Sequence, residues 1–155
     1  MKQVMKLELD SISSNESFAR VVVAAFLTRL NPTMEEVADI KTAVSEAVTN
    51  AIIHGYRQEV HKITIEAIVE EDLFTVSVED FGVGIEDVKK AMEPMYTTRG
   101  DLERSGMGFV FMEAFMDSIE VKSKVGQGTK VIMPKRIGRR YGRDLRSDQT
   151  VTGRR

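Results

Sequence analysis

The sequence predicts an α+β fold, with helices on one face of a mixed, mainly antiparallel sheet. Three observations carry that prediction. Strand-like segments come in adjacent pairs and not as strand–helix–strand units, which favours helices segregated to one side. Two segments before residue 55 show helical periodicity. The chain has 155 residues, which suits one domain, since domains commonly hold about 100–150 residues. A chain near that length buries about 68–70% of its unfolded surface, so it needs no disulfide or metal staple.

Each element has its own signal. Val4 to Leu9 alternate, with Leu7 and Leu9 on one face of a short strand. A Ser/Asn cluster at 11–15 supplies helix caps. Phe18, Val22, Phe26 and Leu30 then recur every four residues, beside Ala19, Val23 and Leu27, which predicts an amphipathic helix over 15–30. Asn31-Pro32 ends it. Thr33 followed by Glu36 reads as a capping box for a second helix. Val37, Ile40, Val44, Ala47 and Ala51 line its apolar side, and Gly55 signals its end near His54.

Residues 61–70 and 73–79 are strand patterns joined by the short Glu70-Glu71-Asp72 link, hence a hairpin. Asp80-Phe81-Gly82-Val83-Gly84 is a Gly-punctuated loop, and a short helix is expected over 86–92. Residues 94–106 form a polar loop that is long for a compact domain, which usually marks a functional loop or lid. Met107 to Met116 reads as a helix. Ile119–Lys122 and Thr129–Met133 read as two more strands around Val125-Gly126-Gln127-Gly128.

Composition narrows the function classes. Hydrophobic residues are 42% and charged residues 30%, ordinary values for a soluble globular protein. The absence of Cys excludes a disulfide scaffold, a Cys-ligated zinc site and a thiol nucleophile. No apolar run approaches the roughly 18 residues of a membrane span, and MKQVMKLELD lacks a signal-peptide core. A cytoplasmic protein is therefore expected. The net charge of −2 hides an asymmetry: residues 135–155 carry +6 and the rest −8. An acidic body, 1–134, is expected to be followed by a basic, disordered tail, 135–155.

Candidate chemistry begins with the glycines. No G-x-x-x-x-G-K-[ST] or G-x-G-x-x-G occurs, so neither a P-loop nor a dinucleotide fingerprint is present. Glu46, Asn50 and His54 share one helix face at i, i+4, i+8 spacing. That stripe is short-chained, with Glu46 its one carboxylate, and apolar residues surround it. A carboxylate and an amide one turn apart suit a metal–phosphate site. The amide oxygen can ligate Mg²⁺ and the carboxylate can deprotonate an attacking hydroxyl.

Four segments in order resemble the boxes of the GHKL ATPase/kinase superfamily. Glu46-Ala47-Val48-Thr49-Asn50-Ala51-Ile52-Ile53-His54-Gly55-Tyr56 is similar to its N-box, and Asp80-Phe81-Gly82-Val83-Gly84 to its D-x-G-x-G box. Ser105-Gly106-Met107-Gly108-Phe109 is similar to its second Gly box, and Gly128-Thr129 to its closing pair. Within the superfamily, Asn15–Ala25, Val44–Tyr56 and Leu102–Phe109 resemble the anti-sigma factor serine kinases of sporulation. The resemblance covers about residues 5–134.

It implies a Bergerat-type two-layer α/β sandwich that binds ATP or ADP with Mg²⁺. By position, Asn50 would ligate Mg²⁺ and Glu46 would be the general base. Asp80 would accept from the adenine amino group, and Thr129 would help hold the adenine edge. Gly82, Gly84, Gly106 and Gly108 would let backbone approach the nucleotide. The phosphates would sit at the helix N-terminus opened by Met107-Gly108. The loop 94–106 would be the lid, with Thr97, Thr98 and Ser105 at the nucleotide and Arg104 reaching the phosphates or a partner. His54 fits a nucleotide contact and equally a residue that fills space at the helix end.

The resemblance also implies an anti-sigma factor that forms a homodimer. It would sequester a sporulation sigma factor and phosphorylate a serine of an anti-anti-sigma (STAS-type) protein. Glu16 and Arg20 match positions of partner contact. The lid departs from the family pattern at Arg99-Gly100, where relatives commonly have Lys then Pro, and Arg is not interchangeable with Lys at a phosphate. Two other readings remain at this level. One is a non-catalytic, nucleotide-gated binding module, against which the carboxylate at Glu46 argues. The other is nucleic-acid adhesion through the basic tail, but Tyr141 is its only aromatic and stacking is unsupported. Direct nucleic-acid and membrane contacts are not expected.

Overall fold

The computed structural model describes residues 1–93 and 108–138. The expected lid and the residues Thr97, Thr98, Arg104, Ser105, Gly106 and Met107 lie outside them. The elements are β1 (Lys2–Asp10), α1 (Ser14–Leu27), α2 (Met34–Asn50), β2 (Lys62–Glu70), β3 (Leu73–Asp80), α3 (Val88–Ala91), α4 (Phe109–Phe115), β4 (Glu120–Lys124) and β5 (Gly128–Arg136). The five strands form one sheet in the order β1-β2-β3-β5-β4. Every pairing among the described residues is antiparallel, so the parallel component in the expected mixed sheet is not found there.

The α+β layering follows from side-chain alternation. Ile63, Ile65, Ala67 and Val69 of β2 are buried, as are Phe74, Val76 and Val78 of β3 and Val131 and Met133 of β5. They form one cluster with the inward faces of α1, α2 and α4. A period of two aims these strand residues to the helix side.

α1 turns a different face inward from the one its four-residue spacing marks. Ala19, Val23, Phe26 and Leu27 are buried, whereas Phe18 is 50% exposed. Four residues advance a helix by more than a full turn, so a strict i+4 line spirals off one face. The set with mixed three- and four-residue steps stays on it. The helix then tightens into a 3₁₀ turn, Thr28–Leu30, and Asn31 leaves in the left-handed region at φ 49°.

α2 starts with the expected capping box. Glu36 N–H donates to Thr33 Oγ1 at 3.1 Å and Thr33 N–H donates to Glu36 Oε1 at 2.9 Å. At its other end the helical path reaches Gly55, the expected stop, but its last turn is wider than the sequence signals. Residues Ala51–Gly55 form a π-turn, with Tyr56 N–H reaching back five residues to Ala51 C=O at 2.9 Å. Such bulges recur at functional sites. Tyr56 is buried, and its hydroxyl donates to Lys62 C=O and accepts from Phe81 N–H. It ties the start of β2 to the loop after β3.

The packed body extends past the boundary expected at 134. Lys135 Nζ donates to Phe115 C=O at 2.6 Å and Arg136 Nη1 pairs with Asp72 Oδ1 at 2.6 Å. Ile137 is buried, and Gly138 N–H donates to Glu36 Oε2 at 2.8 Å. β5 itself continues through the basic residues Lys135 and Arg136. Counted to Gly138, the body carries −6 and the remaining residues +4.

Candidate functional site

The N-box, the D-x-G-x-G box and the closing Gly-Thr pair converge because three chain crossings are closer than any side chain permits. Val83 N–H donates to Gly55 C=O at 2.9 Å. A Cβ on Gly82 would stand 2.0 Å from that same Gly55 oxygen. A Cβ on Gly84 would stand 2.2 Å from Lys124 C=O, and one on Gly128 would stand 2.0 Å from Asp80 C=O. Gly82 and Gly84 therefore serve chain-on-chain contact within the protein.

That convergence shapes a cleft between α2 and the sheet. Asn50, His54, Asp80, Gly84 and Thr129 line it. The sequence singled out all five. Ala47, Ala51, Gly55, Val78, Ile85, Phe109 and Val131 line it too. These were not identified, because an apolar residue lining a cleft has the same sequence pattern as one in the core. Gly82 borders a neighbouring hollow.

Asp80 is the chemical centre of the cleft. It ends β3 and is only 5% exposed. Burial raises its pKa. Amide N–H groups of Gly82 and Thr129 donate to the carboxylate and oppose that shift, and Glu79 adds to it. Gly82 N–H lies 2.9 Å from Oδ1. Gly55 makes room for this group: a Cβ there would lie 2.7 Å from Oδ1. A buried carboxylate in a cleft is a demanding acceptor, one that favours a ligand N–H. Burial lowers the pKa of His54, which keeps the imidazole neutral at physiological pH.

Thr129 faces Asp80 across the β3–β5 ladder. Its hydroxyl lies 2.8 Å from Ser123 Oγ on β4. Ser123 also accepts from Ile85 N–H at 2.7 Å and lies 3.0 Å from Gly128 C=O. This serine joins the first glycine box to the closing Gly-Thr pair. No motif marked it, since a lone Ser on an edge strand has no local signature.

Glu46 and Asn50 share a face of α2, one turn apart. The Glu46 carboxylate packs against Gly108, where a Cβ would stand 2.4 Å from Oε2. Gly108 is in the left-handed region at φ 65°, so no side chain suits this site on either count. Burial raises the Glu46 pKa, and the charge of Glu16 raises it further. A carboxylate shifted toward neutrality is a better general base than one at its ordinary value. Glu16 accepts from Ser45 Oγ, and its Oε1 lies 3.2 Å from Arg20 Nε. The expected partner residues Glu16 and Arg20 thus pair with each other beside α2.

The donor set fits a magnesium–nucleotide complex. It offers a buried acceptor for a base amino group in the cleft and an amide oxygen one helical turn from the Glu46 carboxylate, which is not itself among the residues lining the cleft. Among the described residues no cluster of three or more His, Cys, Asp or Glu could hold a metal by itself. No helix among the described residues is long and apolar enough to cross a membrane.

A family model described as "Histidine kinase-like ATPase domain" matches residues 13–135. The anti-sigma F factor of Clostridium acetobutylicum is 57% identical over 137 residues, which is 88% of this chain and 96% of that protein. The anti-sigma F factor of Clostridium novyi is 61% identical over 136 residues, covering 86% of this chain and 94% of that protein. Among solved structures, the RsbU and RsbW domains of a Mycobacterium tuberculosis protein superpose with TM-score 0.63 at 21% identity. That match covers 87% of this chain and 32% of the longer protein. The catalytic domain of histidine kinase ThkA superposes with TM-score 0.51 at 16% identity, covering 86% of this chain and 96% of that one. At these identities the two structures speak for the fold, and both carry it.

Proposed function

The chain belongs to the histidine kinase-like ATPase domain family and groups there with the anti-sigma F factors, and from that premise we propose that it is an anti-sigma factor and Mg-ATP-dependent protein serine kinase. Its partners on this reading are a sporulation sigma factor, which it sequesters as a homodimer, and an anti-anti-sigma protein of STAS type, which it phosphorylates. One observation carries the nucleotide part. The buried Asp80 carboxylate, fixed by the Gly82 and Thr129 amides, stands in one cleft with Asn50 and Thr129.

Bound Mg-ATP would supply the transferable γ-phosphoryl group. Asp80 would accept a hydrogen bond from the adenine amino group and orient the base. Asn50 would hold the metal through its amide oxygen. Glu46 would accept the proton of the substrate serine hydroxyl as that oxygen takes the γ-phosphoryl group and ADP leaves, and the raised pKa of this carboxylate suits that transfer. Glu16 and Arg20 lie on α1 close to that base, where a docked protein would bring its serine.

Relatives at 56% to 61% identity bearing the name anti-sigma F factor support the partner assignment. The test is incubation with labelled ATP and a cognate anti-anti-sigma protein. The expected product is one phosphoserine and ADP. Nucleotide binding without phosphoserine would leave a nucleotide-gated binding module in place of a kinase.

A further inference from the structure

The Ser123 hydroxyl has three polar neighbours and a single proton. Ile85 N–H points at it from 2.7 Å, so Ser123 accepts there. Gly128 C=O, 3.0 Å away, has no proton to give, so Ser123 donates there. The third neighbour is the Thr129 hydroxyl at 2.8 Å. A serine hydroxyl has one donor and two acceptor positions. All three contacts are satisfied together in one arrangement, in which Thr129 donates its proton to Ser123. Thr129 then turns only lone pairs toward the cleft that it lines with Asp80.

We infer that Ser123 is a positioning residue that sets base specificity, by holding Thr129 as an acceptor and so favouring a 6-amino purine over a 6-oxo purine. The inference rests on the nucleotide reading above. Asp80 accepts only, and Thr129 in this arrangement accepts only. A purine carrying N–H groups, or a water that donates onward to the ring, pairs with such an edge. A 6-oxo group places a third acceptor against two others and leaves its own lone pairs without a donor. If Ser123 loses its hydroxyl, the Thr129 proton is freed and can turn toward a 6-oxo group.

Titration calorimetry with Mg-ATP and Mg-ITP tests this, because the two ligands differ at purine position 6. Wild type should prefer ATP. Ser123→Ala should lower the ITP-to-ATP ratio of dissociation constants by about tenfold, the loss of one buried unpaired acceptor. Ser123→Thr, which keeps the hydroxyl, should restore the wild-type ratio. In a Thr129→Val background, Ser123→Ala should leave the ratio unmoved, since the hydroxyl it acts through is gone. If Ser123→Ala does not fold, Ser123→Cys, whose thiol is a poor acceptor, makes the same comparison. An unchanged ratio with both ligands weakened alike would show a merely structural serine and overturn the inference alone. Wild type that binds neither ligand would overturn the nucleotide reading together with it.

Discussion

Gly82→Ala isolates the crossing that builds the cleft. The new Cβ would stand 2.0 Å from Gly55 O, 2.3 Å from its carbonyl carbon and 2.9 Å from its Cα. All three atoms are backbone, so no side chain can swing aside. Ordinary contact needs about 3.5 Å, so one strand of the crossing must retreat by more than 1 Å. Overpacking of this kind costs about 1–3 kcal/mol. The retreat also strains or breaks the Val83 N–H to Gly55 C=O bond at 2.9 Å. Leaving that acceptor unmade costs a further ~1–3 kcal/mol. A total near 3 kcal/mol is expected, which for a chain of this size lowers Tm by about 6–12 °C. The assay is a thermal melt followed by circular dichroism without nucleotide, with Gly126→Ala as control. Gly126 has φ 78° and nothing within 4 Å of its added Cβ, so it meets only the left-handed penalty of about 1–2 kcal/mol. If nucleotide-free Gly82→Ala melts within about 2 °C of wild type and only ATP affinity falls, Gly82 clears space for ligand and the packing argument is wrong.

Asp80→Asn should separate stability from binding. The Asp80 pKa is raised above the ordinary 3.8, so the folded state binds its proton more tightly than the unfolded state. This group's contribution to stability is therefore fully present below about 3.8 and is lost as pH rises through the folded value. The asparagine variant should melt at or above wild type at neutral pH, with the gap closing as acid is added, while calorimetry finds ATP bound about 10–150-fold more weakly, the loss of a hydrogen bond to a charged acceptor. Glu46→Gln should slow phosphoryl transfer to the anti-anti-sigma protein by roughly 10²–10⁴-fold and leave ATP affinity within threefold; equal transfer rates would reassign the base. Ending the chain at Pro134 should lower Tm by several degrees because Lys135, Ile137 and Gly138 lose their contacts, whereas ending it at Gly138 should not. Thr33→Ala removes one half of the capping box and should cost about 1 kcal/mol, read as a shift in the urea midpoint.

Residue order alone fixed the element types. The capping box at Thr33 and Glu36 and the alternation in β2 and β3 are local signals, and each forms as expected; the expected Glu70-Glu71-Asp72 link forms as a hairpin turn with Glu70 already paired to Leu73. The candidate ligands Asn50, His54, Asp80 and Thr129 were legible because polar residues in apolar surroundings stand out along the chain. Four short boxes in a fixed order gave them roles. The inward face of α1 was less legible, since Phe18 and Phe26 are chemically alike and only packing separates them.

Other features had no local signal at all. The π-turn at Ala51–Gly55, the reach of β5 through Arg136 and the Ser123 hydroxyl between two glycine boxes depend on residues dozens of positions away. The glycines show the division most plainly. Their spacing marked Gly82, Gly84 and Gly108 as places where something must come close. The tertiary structure decided what comes close: Gly55, Lys124 and the Glu46 carboxylate. A missing Cβ is recorded in the sequence, but the atom that needs its space belongs to another element, and only folding brings the two together.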